Sequence, residues 1–492
     1  MRAALGSLLI LLATAAGAAN PVTAGTAIIV QDQIALRAAP RDAAQQQAVL
    51  WQGEVVEVRA ERMDYLQVWD YRRERGGFVR ASQVRRLDLT PGEAPDLLAV
   101  IRFVRETPGA EALGIGLVAA YIQAAPAEVL NSDAGVVALD ALGIFADRLA
   151  RRASANVARS KAADAQLSAH LEVAARYGIK FANIERAGRM QICYEGDAFR
   201  RVLAMRSHPE QRARAVLALT RQECVDPDLR PPARYTLDEW RAEVLEKVDV
   251  ALLPVYLRNR VLMRRASVWS SLAYQRARKG EPADVAAAQA LTALAGVTKA
   301  DLTDDDARSY ADAAMRVNAS RWAAAPTAPA SARSTTIVTV PGQPGETCLL
   351  LTDAKRDAQN PLVKRCTWGI VWAGSATLNR EGNALAVAVQ QTDTWRELWV
   401  FRKASDGWTI SVLPPAATSP DVGYAEFAGW VPGGRQMLVA REASGEGKYL
   451  RNFELVRLDT LTPERQASDP TILGAFQRWQ DPAWKRQTLS LR

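Results

Sequence analysis

Four cysteines and two histidines are the side chains of this 492-residue chain best suited to covalent or metal chemistry. A thiol enzyme needs a thiolate, a histidine base and a polar group that orients the base. The candidates are Cys193, Cys224, Cys348 and Cys366 beside His170 and His208. His170 falls on a helix expected over residues 164–177, where it reads as a packing or surface residue. His208 falls in the first turn of another expected helix, where the helix dipole disfavours an imidazolium. No CxxC occurs and no histidine stands at ligand spacing, so the pattern points to no metal. The cysteines read instead as two disulfides. Cys193 precedes a helix of about 195–206 and Cys224 follows one of about 208–222; packed antiparallel, these bring Cys193 to Cys224. Cys348 and Cys366 flank a hairpin-like stretch whose polar loop centres near Asp357, which pairs Cys348 with Cys366. Closing loops of these lengths contributes roughly 3–4 kcal/mol each in the entropic treatment.

Other catalytic signatures are missing. There is no GxSxG, SxxK, HExxH or GxxxxGK[ST], and no GxGxxG between a strand and a helix. No cofactor is therefore expected. Asp304, Asp305 and Asp306 form an acidic run, and paired acids across a cleft serve glycoside hydrolysis; at a helix start such a run reads as dipole complement. What remains is aromatic. Tyr65, Trp69 and Tyr71 alternate along one expected strand, with Leu66 and Val68 on its other face. If Leu66 and Val68 fill the core, Tyr65, Trp69 and Tyr71 are displayed as a candidate surface for a peptide or glycan. Trp368, Trp372, Trp395, Trp399 and Trp430 read as core between sheets.

Three regions must position these residues. Residues 26–89 read as short strands: 28–30, 34–36, 55–58 and 66–69 are β-rich between polar turns. The succession Leu36-Arg37-Ala38-Ala39-Pro40, Gly53-Glu54-Val55-Val56, Tyr65-Leu66-Gln67-Val68 and Gly77-Phe78-Val79 resembles the bacterial SH3-like (SH3b) domain, with Phe78 where that family has Trp. The resemblance implies a small β-barrel that binds wall peptides or partner proteins and carries no catalysis.

Residues 93–322 change to helical spacing, as in Leu252, Tyr256, Leu262, Ala266, Trp269 and Ala273. Ser207 with Glu210 and Thr236 with Glu239 fit capping boxes, and Thr303 with Asp306 is a weaker copy. Trp269, Leu272, Ala273 and Gly280 faintly resemble one tetratricopeptide unit, but no 34-residue period is sustained, so an irregular all-α domain is expected. Residues 323–335 form an Ala/Pro/Ser linker by composition.

Residues 336–492 return to β and hold eight of the thirteen tryptophans. Strands are expected at 384–389, 397–401 and 408–413. Trp430-Val431-Pro432-Gly433-Gly434 before 435–440, then 453–459, resembles a blade of a TolB-type β-propeller, and Asn379-Arg380-Glu381-Gly382-Asn383 looks like a degenerate earlier copy. This length holds roughly three blades where closure needs four, so an incomplete propeller-like array is the alternative to a closed one.

The first nineteen residues read as a secretory signal peptide: Arg2, the apolar run Leu8-Leu9-Ile10-Leu11-Leu12, then small residues up to Ala18 and Ala19. That run is too short to span a bilayer and no later stretch reaches the length needed, so no transmembrane segment is expected. The net charge is +8, without a block of five like charges, so no nucleic-acid partner is indicated. The expectation is a multidomain α+β protein, periplasmic or secreted and not an enzyme, with an SH3-like barrel, a helical middle and a propeller-like C-terminal domain. Its function is binding or scaffolding of envelope proteins or peptidoglycan. The alternative is a peptidoglycan-active enzyme with an unrecognised carboxylate site in the helical region.

Overall fold

In a computed structural model the described residues are 25–155, 160–186, 188–325, 335–417, 422–445 and 448–487. The signal-peptide reading of residues 1–19, and the linker reading over 326–334, lie outside them; of the remaining linker positions, 323–324 belong to the short helix Arg321–Ala324 and Thr335 starts a strand. The chain is mixed α+β and forms two compact units, Met1–Pro227 and Asp228–Arg492.

Alternating burial builds the start of the first unit. Along Gly25–Ile29, Ala27 and Ile29 face one side and Ile28 the other, and all three are fully buried. Ala27 and Ile29 join Leu36, Leu50, Val56, Val58, Leu66, Val68 and Val79 in a core made by the sheet alone. Ile28 instead enters a second core with Leu97, Ile101, Ile115, Phe145 and other helical residues. Burying such a side chain contributes roughly 1.5–3 kcal/mol, so the first strand ties the sheet to the helices. The seven strands lie in the order Gln46–Leu50, Ile34–Arg37, Arg75–Arg80, Tyr65–Asp70, Val55–Arg62, Gly25–Ile29, Val84–Leu87, a path that does not close. Gly53 sits at φ +84°, and a Cβ there would come within 2.4 Å of the Ala112 carbonyl oxygen. Glycine is what lets this turn approach the helix Glu111–Ala124.

Seven helices follow among the described residues of this unit, from Ala94–Arg105 to Pro209–Leu219. The expectation of an all-α middle is corrected here: Phe181–Arg186 and Arg189–Tyr194 pair as a β-hairpin. Two cap assignments are also corrected. The helix Pro209–Leu219 is capped at His208, whose backbone N–H donates to Gln211 Oε1 at 3.0 Å, rather than at Ser207. Thr236 lies inside the helix Pro231–Glu246, because Pro231 and Pro232 fit the first turn better than Thr236 does. Thr303 does cap, accepting from the Asp306 N–H at 3.2 Å.

The second unit opens with the helices Pro231–Glu246, Val255–Arg278, Asp284–Ala295 and Asp304–Ser320. Leu262, Ala266 and Ala273 are buried as their spacing predicts, whereas Leu252 and Tyr256 are exposed at the entry to the long helix. None of the described helices is long and apolar enough to cross a membrane. The β part begins with a three-stranded sheet, Thr335–Pro341, Thr347–Asp353 and Val363–Thr367. Two antiparallel meanders follow. Ile370–Leu378, Ala384–Thr392, Trp395–Ala404 and Gly407–Leu413 form the first, and Val422–Val431, Gln436–Gly445, Lys448–Arg457 and Pro463–Ala467 the second. A short parallel pairing, Trp395 with Gly423 and Arg396 with Tyr424, joins them into one eight-stranded sheet. The helices hold the 390–395 end of this sheet: Tyr274 Oη donates to the Gln391 carbonyl at 2.9 Å and Gln390 Nε2 to Ser320 Oγ at 3.0 Å.

Candidate functional site

The strand Tyr65–Asp70 positions the aromatic candidates, and it treats them differently. Leu66 and Val68 point into the sheet core as their alternation predicts. Trp69 lies between Glu57 and Gly76 in the ladder. A Cβ on Gly76 would stand 3.1 Å from Trp69 Cε3, so the indole lies across the bare backbone at Gly76. The Arg59 guanidinium sits 4.4 Å from the ring centroid, a cation–π contact. Arg59 Nε also meets Glu57 at 3.1 Å, and Tyr71 Oη donates to the same Glu57 carboxylate at 2.9 Å. The Tyr71 hydrogen bond, then that of Arg59, holds Glu57 below its ordinary value. Tyr71 and the Arg59 that lies over Trp69 thus share one carboxylate, and Tyr71 is 68% exposed. Tyr65 departs from the expected display. It is buried, its hydroxyl donates to Asp42 Oδ1 at 2.6 Å, and Arg80 stacks 5.2 Å from its ring. The loop carrying Asp42 covers the position that alternation alone would leave open. What remains accessible is the exposed Tyr71 and the half-buried Trp69, with Glu57 and Arg59 as one ion pair beside them.

The cysteines occupy the expected pairs. Cys193 on the hairpin bonds Cys224 beyond the helix Pro209–Leu219, and Cys348 bonds Cys366, directly opposite it in the ladder. Glu346 lies beside Cys348 and Cys366, but neither sulfur is a thiolate. His170 is fully buried and its Nε2 lies 2.8 Å from Asp32 Oδ1. Because an ionised carboxylate only accepts, Nε2–H is the donor. Gln52 and Gln166 also donate to Asp32, at 2.6 and 2.5 Å. Burial opposes ionisation of Asp32, but the His170 hydrogen bond and charge, with the Gln52 contacts, outweigh it and hold the carboxyl low. The acidic run is also engaged: Asp306 meets Arg260 at 2.8 Å.

Trp395 and Trp399 are core residues, and Trp372 is half-buried with its Nε1 on Gln390. Trp430 is half-buried, whereas Trp368 is 57% exposed and departs from the core reading.

Sequence reasoning missed two arrangements. One is the Asp32–His170 pair, whose members are 138 positions apart and carry no local signal. The other is a pocket of about 1010 Å³ in the second unit, where the strand ends at 383–384, 402–404, 432–436 and 457–464 converge. The two turns picked out as blade signatures meet at its edge: the Gly433 N–H donates to Glu381 Oε1 at 2.9 Å. Those two motifs were the available signal for the pocket, had they been placed side by side. Comparison with protein-family models, curated proteins and solved structures finds no match for this chain.

Proposed function

We propose that this chain is a non-enzymatic binding or scaffold protein of the cell envelope, periplasmic or secreted, that recognises peptidoglycan or an envelope partner protein. The observation that carries the reading is the Trp69–Tyr71 face. Its half-buried indole packs on Gly76 and against Arg59, and its exposed phenol is held by Glu57. Rigid aromatic rings flanked by fixed charges offer contact area to a peptide or sugar at low entropic cost. Two disulfides support an oxidising compartment, and the leader-like first nineteen residues support export. In this reading the N-terminal sheet is an SH3-like barrel and the C-terminal meanders are blades of an incomplete propeller-like array, so the architecture is one of recognition modules.

The test is retention of the oxidised protein on purified peptidoglycan sacculi over a salt series, with Trp69→Ala and Tyr71→Ala beside it. Retention that survives moderate salt and falls in both variants supports the reading. Absence of retention, or retention lost with salt equally in all three proteins, removes the wall as the ligand of this face.

A further inference from the structure

We propose that the pocket at the turn end of the C-terminal sheet binds an acidic peptide segment, with its carboxylates against Lys403 and Arg435. This inference uses only groups of the second unit and does not depend on the Trp69–Tyr71 face.

The charges of the pocket do not cancel. Among its lining residues are four cations, Arg402, Lys403, Arg435 and Arg457, and two acids, Asp459 and Glu464. Arg457 and Asp459 neutralise each other through a two-pronged contact, with Nε 3.0 Å from Oδ1. Arg402 Nη1 donates to the carbonyls of Leu458 and Asp459, and its buried Nε has no partner among the described residues. Glu464 accepts from Gln436 at 2.6 Å. Lys403 and Arg435 are exposed, and their side chains make no hydrogen bond or ion pair with the described residues. A net positive pocket with two uncommitted cations on separate strand ends attracts a ligand with more than one anionic group.

The walls are fixed before any ligand arrives. Asn379 Oδ1 accepts from the N–H groups of Asn383 and Ala384 at 3.0 Å each, which closes the first turn. Glu381 ties that turn to Gly433, and Arg402 ties a third strand end to residues 458–459. Gly433 and Gly434, at φ +98° and +64°, supply the left-handed backbone of the second turn, and a Cβ on Gly434 would come within 3.1 Å of Glu381 Cγ. Such preorganisation lowers the ordering cost of binding.

A peptide fits this chemistry better than a polyphosphate. The volume exceeds what one phosphate fills and lies at the upper end of ordinary ligand pockets. Glu464 and Asp459 can accept backbone N–H groups, which a peptide carries and a polyphosphate lacks. Lys403 and Arg435 meanwhile take side-chain carboxylates.

The experiment is fluorescence anisotropy of labelled hexaglutamate with the full oxidised protein at low and at physiological salt. The paired variant Lys403→Glu with Arg435→Glu is compared with a control of equal charge change on the helices, Lys247→Glu with Arg308→Glu. Both mutated pocket residues are exposed and uncommitted, so the variant is expected to melt like the parent. The expected result is saturable binding that weakens about tenfold or more in the pocket variant and less than about twofold in the control. Equal losses in both variants, no saturable binding at low salt, or displacement by tripolyphosphate more readily than by unlabelled hexaglutamate would each overturn the assignment.

Discussion

Glu54 in the first unit and Glu426 in the second are each ringed by guanidinium groups, and the two rings are solvated very differently. Arg72, Arg73 and Arg176 approach Glu54 at 3.1–3.3 Å, and their side chains keep 22–36% of their surface exposed. Around Glu426 stand Arg321 and Arg396, exposed by only 6% and 0%. Burial opposes the charge on Glu426, yet the charges of Arg321 and Arg396 outweigh it and hold the carboxyl below its ordinary value. Nε and Nη1 of both arginines have no hydrogen-bond partner among the described residues. Their other faces lie 5.0 Å from the Trp322 ring and 5.4 Å from the Tyr424 ring. The lesson is that a similar count of ion pairs carries different energetic weight: the first ring is a hydrated clasp between sheet and helices, the second a desolvated knot between helix and sheet.

The largest expected effect comes from cutting the knot. Glu426→Gln leaves two buried guanidiniums uncompensated and should cost about 3–5 kcal/mol, read as a lowered urea midpoint for the second unit. Replacing all three charges with apolar groups of similar volume, Arg321→Met, Arg396→Met and Glu426→Leu, should recover most of that loss. A triple variant as unstable as the single one would show that the knot stabilises by more than cancelling its own burial.

Each unit also holds one disulfide, which compares them on another axis. Changing Cys193 and Cys224 to serine opens a separation of 31 residues, against 18 for Cys348 and Cys366. Losses of about 3–4 kcal/mol are expected for each pair, with the longer loop costing a few tenths more. Calorimetry that finds the shorter loop costlier would place the difference in native packing rather than in loop closure.

These pairings were legible because cysteine chemistry restricts partners and the flanking elements set the register. Strand positions were legible for a similar reason: β-rich runs at 28–30, 55–58 and 66–69 between polar turns, and apolar runs at 384–389 and 397–401, each mark a strand locally. The hairpin Phe181–Tyr194 was not, since its two strands lie among helices that dominate the local pattern. Tyr65 and Trp69 occupy equivalent positions in the alternation. Only the covering loop with Asp42 separates the buried ring from the available one, and no spacing records that. Pairs such as Asp32 with His170 depend on tertiary docking and leave no mark on either segment.

A smaller effect is expected at the hydrated clasp. Glu54→Gln removes a buried carboxylate whose three partners can each turn to water, so about 1–2 kcal/mol should be lost from the first unit. A loss equal to that of Glu426→Gln would erase the distinction drawn between the two rings.

The finest test uses pH within the first unit. Asp32 is held below the usual aspartate value of 3.8 by His170 and Gln52, which outweigh its burial. A carboxyl that is more acidic when folded binds fewer protons in the native than in the unfolded chain between the two pKa values. Its contribution is therefore fully present above the unfolded value and lost as pH falls through the folded one. Asp32→Asn should lower the urea midpoint most near neutrality, and the gap to the parent should shrink as pH falls through about 4 and below. Glu54→Gln supplies the contrast, because both variants loosen the same sheet–helix junction. If the Asp32→Asn gap stays constant across that range, the His170 contact acts through shape and neutral hydrogen bonding. The charge-based comparison would then rest on the two arginine rings alone.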